Sequence, residues 1–141
     1  MALLVPNVGE IELLDRLLKG GSSVHDGNYT LHLFKNSYVP QDGSTLSNFT
    51  EADFDGYADK ALAQSSWASV SLNTNDKAES SYSQQSWTCG ATGNTIYGYY
   101  ITGNTSGELL WAEKFGSSKA LTNGDILNLI PVITLSNDTC P

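Results

Sequence analysis

The hydrophobic period changes once along this chain, at Gly20-Gly21, and no other feature constrains the fold as strongly. Before that point Ile11, Leu14, Leu17 and Leu18 recur at the spacing of one helix face. After it apolar and polar residues alternate, as in Tyr29-Thr30-Leu31-His32-Leu33. The two periods are incompatible, so the chain reads as one short amphipathic helix followed by strands. Asn7 is placed to cap that helix, Glu10 to close the capping box, and Gly20-Gly21 to end it. Glu12 with Arg16 and Asp15 with Lys19 form i,i+4 pairs whose acid-first order suits the helix dipole.

Strands are expected over Tyr29 to Phe34, Trp67 to Leu72, Ser80 to Cys89, Thr95 to Ile101, Glu108 to Phe115 and Ile126 to Leu135. Pro131 cannot donate to a ladder, which places it at a bulge, a strand switch or an edge. Gly103 to Gly107 and Asn123-Gly124-Asp125 have the residues of tight turns. Ser37 to Gly56 reads as the one long polar excursion. Charged residues are only 16% of the chain, polarity being carried by Ser, Thr, Asn and Gly, a composition foreign to helix bundles. Short strands at this turn spacing, without crossover helices, predict an all-β antiparallel two-sheet sandwich, jelly-roll-like, with one N-terminal helix. Residues 1–21 form the helical arm and 22–141 the β domain. The predicted core is Leu31, Leu33, Trp67, Trp87, Ile96, Tyr100, Trp111, Ile126, Ile130 and Ile133.

A net charge of −8, with Arg16 the only arginine, leaves nothing to neutralise a run of phosphates or to attract an anionic membrane. Nucleic acid and membranes are therefore excluded as expected partners. No apolar run approaches the roughly 20 residues that span a bilayer, and the first residues lack the basic and long apolar regions of a secretory leader. Cys89 and Cys140 are accordingly expected as free thiols.

Catalytic signals are sparse. Glu51-Ala-Asp53-Phe-Asp55-Gly56 starts like a calcium loop, but its twelfth position is Leu62 where a bidentate glutamate is needed, so a solvated loop is expected. His25 and His32 are the only imidazoles; His32 reads as a satisfied strand residue and His25 as an exposed turn residue. Neither an enzyme nor any metal or other cofactor is expected. Trp87, Tyr97 and Tyr99 have rings able to stack on a glycan, although a core role is the simpler reading. The Asn-X-Ser/Thr triplets at Asn28, Asn48, Asn104 and Asn137 follow from the composition.

Several segments, taken in order over most of the chain, resemble small structural proteins of tailed bacteriophages, including those infecting cyanobacteria. They are Ala2-Leu-Leu-Val-Pro-Asn-Val-Gly-Glu10 with Glu12-Leu-Leu-Asp15, Tyr29-Thr-Leu-His-Leu-Phe-Lys-Asn36, Phe49-Thr-Glu-Ala-Asp-Phe-Asp-Gly-Tyr57, and Thr95-Ile-Tyr-Gly-Tyr-Tyr100 before Leu109-Leu-Trp-Ala-Glu113. The last pair is the most specific. The resemblance implies a virion component made in the host cytoplasm. Size and fold class are similar to those of a capsid cement or decoration protein, a homo-oligomer (dimer or trimer) bound to the major capsid protein on the capsid surface. Two other readings are a tail, baseplate or fibre-associated protein contacting the host, and a lectin-like glycan-binding domain. The apolar face Ile11, Leu14, Leu17 and Leu18 is the candidate interaction surface: it either folds onto its own domain or docks on a neighbour.

Overall fold

Alternating sequence after the helix becomes antiparallel ladders joined by turns and loops. The structure, a computed structural model, describes residues 7–19, 28–104 and 107–135. Its elements are α1 (Asn7–Lys19), β1 (Tyr29–Phe34), β2 (Lys60–Leu62), β3 (Ser71–Leu72), β4 (Ala78–Ser81), β5 (Gln85–Thr88), β6 (Thr95–Gly103), β7 (Leu109–Ala120), β8 (Ile126–Leu129) and β9 (Val132–Leu135). Hydrogen bonding groups the strands into a four-stranded sheet ordered β2-β1-β6-β7, a three-stranded sheet β3-β4-β9 and a two-stranded sheet β5-β8. Every pairing is antiparallel. The described residues are thus mostly β, with one α-helix.

Pro131 divides the expected Ile126 to Leu135 strand, as a residue without an N–H must. Ser81 pairs with Val132 on one side of the break and Gln85 with Leu129 on the other. Between them the Tyr82 amide donates to the Pro131 carbonyl at 2.9 Å. The β4–β9 and β5–β8 ladders therefore run end to end along the same two chain segments. Ser80 to Cys89 is split for the same reason. The expected Trp67 to Leu72 strand shrinks to Ser71–Leu72, because a 3-10 turn at Gln64–Ser66 directs Trp67 inward onto Tyr82 instead, with ring centroids 5.2 Å apart. β2 has no alternating pattern of its own and is recruited by pairing with β1.

The main apolar cluster joins Leu31, Leu33, Ile96 and Ile101 of the four-stranded sheet to Ala78, Trp87, Leu127 and Ile133 of the smaller sheets, with Leu14 and Leu18 of α1. Tyr99 Oη also lies 3.3 Å from the Val132 carbonyl, from one sheet to the other. A second cluster, Phe34, Phe49 and Tyr100, covers the opposite face of the four-stranded sheet. Tyr100 is buried as expected but on that face, and Trp111 is only half-buried, its ring edge-on to Tyr29 at 5.4 Å.

Two expected core residues are outside: Ile126 is 62% and Ile130 52% exposed. In β8 the inward position is Leu127, paired with Trp87, so its even-numbered neighbours point outward; the same alternation runs on through buried Pro131 and keeps Ile133 inside. The Ser37 to Gly56 segment is also no mere solvated excursion. Phe49 and Phe54 are buried, and Glu51 bridges to Phe34.

The helix stands where its periodicity placed it, with Lys19 Nζ 3.6 Å from Asp15 Oδ1. Gly20-Gly21, the capping side chains of Asn7 and Glu10, and the side chain of Glu12 lie outside what is described. α1 packs beside β4, β3 and the Gln64–Ser66 turn, and its Leu17 carbonyl accepts from Tyr29 Oη at 2.6 Å.

Candidate functional site

The chemistry-bearing residues converge on the outer face of the four-stranded sheet. Alternation along β1 turns His32 to the face opposite Leu31 and Leu33, and register brings it beside Tyr100 of β6. The imidazole stacks on the Tyr100 ring at 4.7 Å and 11°. Its Nδ1–H donates to Glu51 Oε1 at 2.8 Å, since a carboxylate only accepts. Nε2 lies 3.1 Å from the Thr102 hydroxyl, from which the neutral imidazole accepts. Glu51 Oε1 accepts a second bond, from Tyr57 Oη at 2.8 Å, and Tyr57 Oη accepts from the Leu33 amide. Burial, assisted by the Glu51 carboxylate, pushes the Tyr57 phenol well above its usual range. Burial likewise pushes Tyr100 up to about 12. Both phenols remain neutral at physiological pH.

Hydroxyl, imidazole and carboxylate in line have the order of a nucleophilic triad. Catalysis needs in addition an open space beside the hydroxyl and donors for an oxyanion. Thr102 is 6% exposed in the middle of the sheet, and neither cleft described below borders it, His32 or Glu51. What this geometry performs is fastening: it ties the 35–59 segment to β1 and β6.

The acidic run is likewise divided among separate tasks. Asp53 Oδ2 lies 2.6 Å from Lys35 Nζ, and the Lys35 ammonium, with Asn94, holds its carboxyl below the usual value. Asp55 Oδ2 accepts from the Ala91 amide at 3.0 Å. A Cβ at Gly90 would sit 2.1 Å from that same oxygen, so any larger residue there would displace the Asp55 carboxylate. Among the described residues no group of three or more His, Cys, Asp or Glu side chains is arranged to hold a metal ion. Cys89 is a buried free thiol whose pKa is raised by burial and then by Asp125 and Asp55. Cys140 and His25 lie outside the described residues.

Open space is found around β7. One cleft of about 310 Å³ separates Trp111 and Glu113 of β7 from Val132 and Thr134 of β9. A second of about 370 Å³ lies between Leu109 to Ala112 and the loop at Pro40 to Ser44. Trp111 and Ala112 border both. Of the proposed stacking rings, Trp87 and Tyr99 are buried, with Trp87 Nε1 donating to the Ala58 carbonyl at 2.7 Å and Tyr99 Oη donating to Glu113 Oε2 at 2.7 Å. Tyr97 is half-buried under Lys114, whose Nζ is 5.9 Å from the ring centroid.

Of the candidate interaction residues, Leu14 and Leu18 are fully buried in the chain's own core, Ile11 packs half-buried against it, and Leu17 is 39% exposed. That face is therefore largely covered by the protein itself. Sequence reasoning missed Glu51 and Thr102 as partners of His32, Tyr57 as the second donor to Glu51, and the two clefts. Among the described residues no helix is long and apolar enough to cross a membrane. No protein-family model, curated protein or solved structure matches the chain.

Proposed function

We propose that this protein is a structural component of a tailed-phage virion, a cement or decoration protein that binds the outside of the major capsid shell and bridges neighbouring capsomers. One observation carries the reading. The two segments with the most specific resemblance to phage structural proteins are cross-strand neighbours, Tyr99 opposite Glu113, Tyr100 opposite Ala112 and Ile101 opposite Trp111, and both clefts open along the second of them. A surface with that placement suits attachment, while the polar cluster at His32 is committed to holding the fold.

We read the sheets as a two-layer sandwich, the four-stranded sheet facing the bent ribbon of β3-β4-β9 and β5-β8. Shared burial of Leu33, Ile101, Trp87 and Ile133 supports it. A rigid body of this kind transmits load between capsomers without moving parts. Homo-oligomer symmetry matched to a local axis of the shell would multiply modest contacts into firm attachment.

Copy number tests the reading. Quantitative peptide mass spectrometry on purified particles should find this chain at a fixed ratio to the major capsid protein, on the order of hundreds of copies. A few copies per particle would move it to the tail or baseplate, and its absence from particles would overturn a virion role. Binding on a glycan array, with no particle association, would favour the lectin-like reading.

A further inference from the structure

We propose that β7 is a docking edge for an extended peptide segment of a partner protein, one that alternates large apolar and basic side chains. β7 ends the four-stranded sheet and β9 ends the three-stranded sheet, so among the described residues each is paired on one side only. The cleft of about 310 Å³ lies between these two edges.

Two register shifts frame the available length. β7 is irregular opposite Ile101/Thr102 and again opposite Ile96/Gly98, leaving Trp111 to Lys114 as a regular stretch opposite Ile101 to Gly98. Bulges of this kind blunt an edge against open-ended sheet growth. Here they leave a short window, suited to one strand of a few residues.

A strand added to β7 would lie about 4.8 Å from it and send successive side chains to opposite faces. One set enters the cleft toward Ile101, Trp111, Val132 and Ile133, which is apolar and has room for a large aliphatic side chain. The other set meets the second cleft, where Gln41, Asp42 and Ser44 are polar and Asp42 is exposed. Glu113, also exposed, stands at the rim of the first. Main-chain bonds would supply affinity, and the alternate side chains specificity. Apolar on one face and Lys or Arg on the other is the chemistry these surroundings select. A second copy of this chain is the poorer occupant, since each copy brings a net charge of −8 and its own Glu113 and Asp42 to the contact.

The inference rests on the attachment reading only for the identity of the natural partner. Its test uses the isolated protein, so its failure leaves the copy-number result standing. The probe is a capped six-residue peptide alternating leucine and lysine, titrated into isotope-labelled full-length protein and followed by amide chemical shifts. Saturable shifts at Trp111 to Lys114 and Val132 to Thr134 are expected. Asp42→Lys, a change on an exposed loop, should weaken binding about two- to fivefold, as for a rim ion pair. The same peptide N-methylated at alternate bonds should not bind, because it cannot complete a ladder. The proposal is overturned by N-methylated and unmodified peptides binding equally, by shifts falling elsewhere or not at all, or by a glutamate-for-lysine peptide binding as well. Self-association through the same amides without peptide would overturn it in favour of a second copy.

Discussion

His32 Nδ1 lies 2.8 Å from Glu51 Oε1, and this contact joins the middle of β1 to the point where the 35–59 segment returns to the sheet at its Phe34–Glu51 bridge. The carboxylate is shared with Tyr57, whose hydroxyl is itself tied to the Leu33 amide. Glu51→Ala removes the acceptor of two donors at once and should cost about 1–3 kcal/mol in urea unfolding. Because Tyr57 and Glu51 act through one bond network, Glu51→Ala combined with Tyr57→Phe should cost clearly less than the sum of the single changes. Strict additivity would mean that Glu51 and Tyr57 do not act together.

The acid limb of stability follows from two exposed carboxylates. Asp53 is held below its ordinary value of 3.8 by Lys35 and then Asn94, and Asp125 by the Thr122 amide and then the Thr122 hydroxyl. A depressed folded-state pKa means that the stabilisation is complete above the unfolded value and is lost as pH falls through the folded one. The melting temperature should therefore be level down to about pH 4 and decline below it. Asp125→Asn should flatten part of that decline; an unaltered acid limb in both Asp125→Asn and Asp53→Asn would refute the assignment.

Gly98 of β6 leaves no room for a side chain between β7 and the Phe34 ring. A Cβ there would lie 2.1 Å from the Glu113 carbonyl oxygen and 2.6 Å from the Phe34 ring. The oxygen belongs to backbone and cannot swing away, so Gly98→Ala should destabilise by about 1–3 kcal/mol. The control is Gly116→Ala, where an added methyl meets nothing within 4 Å. Equal melting curves for Gly98→Ala and the wild type would contradict the packing of Phe34 against β6.

The orientation of β8 separates two substitutions of similar appearance. Trp87 is 2% exposed and its paired residue Leu127 faces inward, whereas Ile126 one position earlier is 62% exposed. Trp87→Ala should cost about 3–5 kcal/mol, through the cavity and the lost bond to Ala58. Ile126→Ser should stay within about 0.5 kcal/mol. Reversal of that order in chemical denaturation would place the register one residue out.

These particular residues show where sequence reading reached and where it stopped. α1 and the β6–β7 hairpin strands were legible because their periods are local, and Pro131 because a missing N–H has the same consequence in any sheet. The facing of Ile126 and Ile130 was not legible: apolar residues occupy both parities of this stretch, and the pairing of Leu127 with Trp87, a tertiary fact, decides which set faces inward. Phe49 and Phe54 lie in a stretch with no period, so nothing local announced their burial. The His32 network joins residues 19 and 70 positions apart, and no local pattern encodes such a meeting. The window on β7 depends on bulges within Leu109 to Ala120 that the apolar run conceals.

The helix supplies the last prediction. A β domain that closed its own core would leave α1 free to serve as an arm, and deletion of residues 1–19 would then give a folded protein. The observed packing argues otherwise. Leu14 and Leu18 are 0% exposed, in one cluster with Leu31, Leu62 and Trp67, and Tyr29 Oη depends on the Leu17 carbonyl for its acceptor. Removing the helix uncovers that cluster and strands a buried hydroxyl, and an exposed apolar surface of that kind drives aggregation. The truncated chain should therefore aggregate or lose cooperative unfolding. Leu14→Ala, which keeps the helix in place, should cost about 2–5 kcal/mol, whereas Leu13→Ala, on the side of the helix where Leu13 is 55% exposed, should cost little. A soluble truncated protein with the melting temperature of the full chain, together with a silent Leu14→Ala, would return α1 to the role of a docking arm.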